Sequence, residues 1–222
     1  MRIRKKKWAE PELSKCDFYV AEPQELRGKW KDFFHNDNPI MLEVGCGKGS
    51  FVGQMALLNP DVNFIAVDIK LDMLGVGRRN IVSLFGDREV KNIALVRYNV
   101  EQLDEILSPN DEIKRIYINF CNPWPREKHK KRRLTHPRKL RIYRGLLKDG
   151  DEIHFKTDDE ELFSESLEYF REEGFEVTTL TYDLHKSDID PDTTPMTEHE
   201  KMFSDEGIKI KYCIARKTGG KI

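Results

Sequence analysis

The decapeptide Ile40-Met-Leu-Glu-Val-Gly-Cys-Gly-Lys-Gly49 restricts the fold more than any other stretch of this chain. A short apolar run reads as a strand, and three glycines follow it at once. Residues 50–58 then place apolar side chains at helical spacing, ending near Asn59-Pro60. A strand, a glycine turn and a helix open a βαβ unit, which needs a second parallel strand beside the first. Residues 63–68 supply it, and the alternation continues. Strands are expected at 92–98, 116–120 and 152–156, and helices at about 71–84, 134–147 and 160–173. Two consecutive strands, 175–182 and 209–216, close the pattern. The expected fold is α/β and doubly wound, a mostly parallel seven-stranded sheet with an antiparallel edge hairpin.

The chain has 222 residues, a length that suits one domain, and residues 1–38 read as an irregular, basic N-terminal arm to it. No apolar run approaches the ~18–20 residues of a membrane span, and no apolar segment follows the basic start as a secretory signal requires. Cys16, Cys46, Cys121 and Cys213 lie far apart without a CxxC pair, which points away from a metal site or a disulfide framework. A cytoplasmic location is the expectation. The net charge is −1, but the charge is unevenly spread. Basic residues crowd between Arg2 and Lys7 and again between Arg126 and Arg144, where Glu127 is the one acid. Such segregation gives a local field for phosphates despite a neutral total.

The glycine loop predicts a small-molecule site. A G-x-G-x-x-G dinucleotide loop would place a third glycine at position 50, which is Ser50. Here the loop is Gly45-Cys-Gly47-Lys-Gly49, with Glu43 two residues before it. A carboxylate there repels a pyrophosphate and suits a ligand bearing an ammonium or sulfonium. Asp68 ends the second strand, about 20 residues on, where a carboxylate can accept both hydroxyls of a ribose. Asn99 follows the third strand and is placed for an adenine edge. Together these features resemble the first three motifs of the class I S-adenosylmethionine methyltransferases, and they make that donor the expected cofactor.

Residues 116–133 are the most informative passage. In open α/β sheets ligands bind beyond the carboxyl ends of the strands. Asn122-Pro-Trp-Pro125 falls at such an end, with two prolines fixing the backbone beside a large aromatic. Next comes Arg126, then Lys128, His129, Lys130, Lys131, Arg132 and Arg133, a run suited to a phosphate backbone.

The whole sequence resembles the bacterial tRNA (guanine-N7)-methyltransferase family. That family carries N-F-x-D-P-W-P followed by a basic stretch ending R-R-L; this chain has Asn119-Phe-Cys-Asn-Pro-Trp-Pro125 and Lys131-Arg-Arg-Leu134. The family's F-K-T-D is present as Phe155-Lys-Thr-Asp158, and its T-E-x-E as Thr197-Glu-His-Glu200. The resemblance implies methyl transfer from S-adenosylmethionine to N7 of a variable-loop guanine in tRNA. By position it gives Glu43, Gly45, Gly47, Gly49, Asp68, Asn99 and Asn122 to the donor site. Arg126, Asp158, Thr197, Glu198, His199 and Glu200 go to the tRNA or guanine site, and Lys128, His129, Lys130, Lys131, Arg132 and Arg133 to the RNA. Asn122 and Asp158 are the expected catalytic pair. No metal is implied, and both monomer and homodimer stay open.

Three positions depart from the family pattern. Asp68 and Asn99 stand where glutamate and aspartate are usual, and Asn122 replaces the aspartate of D-P-W-P. The last change matters most, because a carboxylate there would stabilise the cationic product ring. Guanine N7 carries a lone pair and no proton, so transfer needs no general base, and Asp158 can supply negative charge from the next strand end. Asn-Pro-Trp-Pro also resembles the N-P-P-Y loop of enzymes that methylate exocyclic amines, the alternative chemistry. A noncatalytic RNA-binding protein on the same scaffold and a nicotinamide-dependent oxidoreductase are the other two readings.

Overall fold

A computed structural model describes residues 6–219, except for the side chains of 198 and 199. Positions 2–5 of the expected basic start, and the side chains of Glu198 and His199, therefore lie outside the described residues. In chain order the elements are α1 (Ala9–Leu13), β1 (Tyr19–Val20), α2 (Trp30–Phe34), β2 (Ile40–Val44), α3 (Ser50–Leu58), β3 (Asn63–Asp68) and α4 (Leu71–Phe85). There follow β4 (Ile93–Arg97), β5 (Ile113–Asn119), α5 (Pro137–Leu146), β6 (Glu152–Thr157), α6 (Glu160–Glu172), β7 (Phe175–Thr181), α7 (Glu198–Asp205) and β8 (Lys211–Lys217).

The strands form one sheet in the order β1-β4-β3-β2-β5-β6-β8-β7. β8 runs antiparallel to both β6 and β7, and the remaining pairs are parallel. This is the expected α/β sheet with its antiparallel edge pair, but it has eight strands where seven were expected. The chain moves outward from β2 through β3 to β4, then returns to the other side of β2 with β5. That reversal is the switch point at which open α/β sheets bind ligands.

Strands buried on both faces are apolar on both, as Phe64 to Val67 of β3 show. Phe64 and Ala66 join one core cluster with Phe51, Val52 and Met55 of α3, Leu74 and Ile81 of α4, and Leu13 of α1. Ile65 and Val67 join the opposite cluster with Trp30 of α2, Leu140 and Tyr143 of α5, and Phe163 and Phe170 of α6. Helices thus cover both faces.

The first 38 residues are not an irregular arm from Lys6 onward. β1 pairs with β4, Tyr19 opposite Leu95 and Val20 opposite Val96, and adds the eighth strand. Trp30 is fully buried, and its indole N–H donates to the Ile106 carbonyl at 2.8 Å. The buried Asp111 carboxylate accepts from the backbone N–H groups of Gly28 and Trp30. α1 lies against α4, with Ala9 packed on Gly75 so closely that a Cβ at residue 75 would meet Ala9 Cβ at 2.5 Å. The expected helix at 134–147 begins later, at Pro137, where His136 Nδ1 accepts from the Arg138 N–H. A short 3₁₀ segment, Glu127–Arg132, occupies the basic run.

Candidate active site

The site forms where the parallel strands end. Val44 runs into Gly45, whose φ of 75° lies in the left-handed region that favours glycine. Its N–H and that of Cys46 donate to the Val67 carbonyl, fastening the loop across β3. Gly49 serves differently: at φ 65° it begins α3, and a Cβ there would meet Gly77 Cα of α4 at 3.3 Å. Gly45 borders both cavities described below and Gly47 the smaller one, whereas Gly49 packs helix against loop and borders neither.

The larger cavity, about 430 Å³, is bordered by Asp68, Asn99 and Asn122 together with Ile69, Met73, Val100, Phe120, Trp124 and Lys139. Asp68 accepts from the Gly47 N–H at 3.0 Å and the Lys70 N–H at 2.8 Å, and each oxygen keeps further acceptor capacity. Asn99 Oδ1 accepts from the Glu101 N–H at 3.0 Å, and its amide N–H₂ makes no hydrogen bond among the described residues. Ile69 is 57% exposed beside Asp68, an apolar wall for a flat ring.

Glu43 borders the adjoining cavity, about 200 Å³, with Phe51, Asn119 and Thr197. It is buried, and Oε1 accepts from Asn119 Nδ2 at 3.1 Å. Oε2 has no hydrogen-bond partner among the described residues. Burial pushes this carboxyl up to about 8, against the pull of Asn119 and of the Lys156 charge. Lys156 is also buried and donates to Glu200 Oε2 at 2.6 Å and to the Pro195 carbonyl at 3.2 Å. Its ammonium faces the rings of Phe51 and Phe120 at 5.6 and 5.8 Å. Glu200 is thus paired with the Lys156 ammonium and has the His185 imidazole 3.5 Å from its other oxygen, whereas among the described residues Glu43 has only the positive charge of Lys156 nearby. A proton on Glu43 or a cation beside it offsets the cost of burying its charge.

The sequence motif at 197–200 resolves into distinct duties. Thr197 Oγ1 accepts from the Glu200 N–H, and Glu200 accepts from the Thr197 N–H, a capping box that starts α7. Thr197 borders the cavity, while Glu200 turns inward to Lys156.

Asn122 borders the larger cavity, and its Oδ1 accepts from the Trp124 N–H at 3.1 Å. Two bulky residues of this loop sit at positive φ, Phe120 at 48° and Trp124 at 43°. Each such residue costs about 1–3 kcal/mol and persists only where neighbours hold it. Asp158, half-buried at the end of β6, borders neither cavity. It lies near enough to influence Cys121, whose thiol is pushed up to about 12, first by burial and last by the Asp158 charge. Cys46 is likewise raised by burial, so both thiols are neutral at physiological pH.

The basic run is less unbalanced than its sequence. Lys130 pairs with Glu165 at 2.6 Å, Glu127 at 3.0 Å and Glu161 at 3.5 Å. Arg133, expected to face RNA, is fully buried and faces the protein instead, paired with Glu165 and Glu161 of α6. Arg126, Lys128, Lys131 and Arg132 are exposed. The Arg132 guanidinium lies 5.0 Å from the Trp124 ring centre, with His129 at 5.8 Å from it. Sequence reasoning passed over Lys139, which is buried and donates to Glu101 Oε1 at 2.5 Å and the Lys131 carbonyl at 2.6 Å. A lysine in a basic stretch carries no sign that it will fold inward.

Comparison with known proteins identifies the family. A family model described as "Putative methyltransferase" matches residues 37–213. The tRNA (guanine-N(7)-)-methyltransferase of Clostridium beijerinckii is 57% identical over 219 residues, covering 98% of this chain and 99% of that one. The chain belongs to the tRNA (guanine-N7)-methyltransferase family. A second member, from Ruminiclostridium cellulolyticum, is 50% identical over 97% of this chain and 92% of its own. Among solved structures, an antibiotic-related methyltransferase superposes with a TM-score of 0.62 at 13% identity, over 92% of this chain and 98% of that one. A 16S rRNA (adenine(1408)-N(1))-methyltransferase from Catenulisporales acidiphilia gives 0.58 at 16% identity, over 91% and 94%. At these identities the solved structures establish the fold alone, a Rossmann-like methyltransferase sheet. Family membership extends across both cavities and the basic segment.

Proposed function

We propose that the chain transfers a methyl group from S-adenosylmethionine to N7 of the variable-loop guanine of tRNA. The observation that carries this reading is the buried Glu43 oxygen without a partner among the described residues, at the switch point of a sheet whose family is named for guanine methylation in tRNA. A cationic amino-acid portion of the donor fits there, because it balances Glu43 where otherwise a proton must. Asp68 would hold the ribose hydroxyls, Asn99 the adenine edge, and Ile69, Met73 and Val100 the ring faces. When bound, S-adenosylmethionine supplies an electrophilic methyl carried on a sulfonium.

The protein's own part is orientation and electrostatics. The N7 lone pair attacks directly and no proton moves, so no general base is required. Asn122 offers its amide to the incoming base, and Asp158 contributes negative charge from the neighbouring strand end as the purine becomes cationic. Arg126 and Thr197 would position the guanosine, with Glu200 acting through Thr197. Arg132, Lys128 and Lys131, with His129, would meet phosphates.

Strand cleavage distinguishes this chemistry from methylation of an exocyclic amine. RNA treated with enzyme and donor, then with borohydride and aniline, should break at one guanosine per tRNA. Methyl incorporation without such breakage would favour the amine chemistry. Calorimetric titration with S-adenosylmethionine and with NAD should show binding of the first alone.

A further inference from the structure

Arg133 lies inside the basic run, yet its side chain is inaccessible to a phosphate. Nε donates to the Pro123 carbonyl at 2.6 Å, one terminal nitrogen to Glu165 Oε2 at 2.6 Å, and the other to Glu161 Oε1 at 3.3 Å. A planar guanidinium can bridge a carbonyl and two carboxylates at once, which an ammonium cannot do with the same geometry. Pro123 sits between Asn122 and Trp124, in the loop whose backbone at Phe120 and Trp124 occupies the left-handed region. Such a loop needs an external hold, and the Asn122–Trp124 bond is internal to it. At Phe120 the backbone N–H donates to the Lys156 carbonyl at 2.9 Å, and at Pro123 the Arg133 guanidinium supplies the tie to α6.

We propose that Arg133 is a positioning residue for the transfer reaction, fixing the Pro123 carbonyl to Glu165 and Glu161 and so setting Asn122 and Trp124 against the donor cavity. The inference rests on reading that cavity as the methyl-transfer site. It separates the basic run into cations that meet RNA and one that shapes the reacting centre. Misplacement of a reacting group by about 1 Å can slow a reaction about 100-fold, so loss of the hold should register in kcat rather than in tRNA affinity.

The test uses the full chain with Arg133→Met, Arg133→Lys and Glu165→Gln, beside Lys128→Met as the RNA-facing comparison. tRNA binding is measured across salt concentrations, and kcat and KM at one of them. Arg133→Met should lose about 10- to 100-fold in kcat, with KM for tRNA within about threefold and an unchanged salt slope. Lysine should not rescue it, although it restores the charge. Lys128→Met should instead raise KM and reduce the slope by about one. A slope reduced by about one in Arg133→Met, or full rescue by lysine, would overturn the proposal. Should Arg133→Met lose its cooperative melt, Glu165→Gln decides: lowered kcat with the wild-type slope supports the hold, and wild-type kcat contradicts it. The slope comes from binding alone, so it decides whether Arg133 meets RNA even if the wild type formed no N7-methylguanosine. That result would overturn the functional reading instead.

Discussion

Glu43 is buried near the end of β2, beside the smaller cavity. Its carboxyl is raised to about 8 by burial, so without a cationic ligand it is protonated at neutral pH. A donor bearing a positive charge favours the ionised form and displaces that proton. Donor affinity should therefore rise as pH increases toward about 8, by at most about tenfold per pH unit, and this dependence should vanish in Glu43→Gln. Calorimetry in two buffers of different protonation enthalpy checks it; binding without proton release at pH 7 would contradict it. Stability should move the other way. The folded state binds a proton that the unfolded chain releases above about 4.5, so the contribution is full at low pH and lost as pH rises through about 8. Asn122 gives a second prediction. Restoring a carboxylate in Asn122→Asp should raise kcat at saturating tRNA by up to about tenfold, below the effect of deleting a preorganised donor. An unchanged kcat would show that Asp158 already supplies the charge.

At the scale of elements, long strands and helices were legible in the sequence and short ones were not. β2, β3, α3 and α4 follow from buried apolar runs and helical spacing, and their ends differ little from the expected ones. β1 has two residues and α1 and α2 five each, too few to show any period. Their stability comes from tertiary contacts such as Trp30 with Ile106, which no local pattern reveals. α7 was legible from its start alone. Thr197 and Glu200 carry the S/T-x-x-E spacing of a capping box, a local signal that stands beside the substrate role implied by resemblance. If α2 is an integral part of the fold, Trp30→Ala should lose about 3–5 kcal/mol in urea denaturation. A loss below about 1 kcal/mol would return the segment to the status of an arm. Asp159 Oδ1 caps α6 through the Leu162 N–H, and Asp159→Ala should lose about 1 kcal/mol.

For the whole molecule, the arrangement of charge was half legible. The basic run was visible, as was its place beyond a strand end. Its neutralisation was not, because Glu161 and Glu165 reach Lys130 and Arg133 only through the packing of α6. Arg126, Lys128, Lys131 and Arg132 are the exposed cations of the run and set the expected salt dependence. If each meets a phosphate, the slope of log affinity against log salt should be near −3, at about −0.7 to −0.9 per contact. Among the described residues no helix is long and apolar enough to cross a membrane. Both cavities lie at the switch point beside this cationic segment, which is the arrangement the proposed reaction requires.

The most direct test of the central claim is nucleoside analysis of unmodified tRNA incubated with the protein and methyl-labelled S-adenosylmethionine. The label should appear as N7-methylguanosine, at about one per tRNA, and Glu43→Gln should abolish it at low donor concentration. Label in any other nucleoside, or none in a protein that binds the donor, would contradict the account.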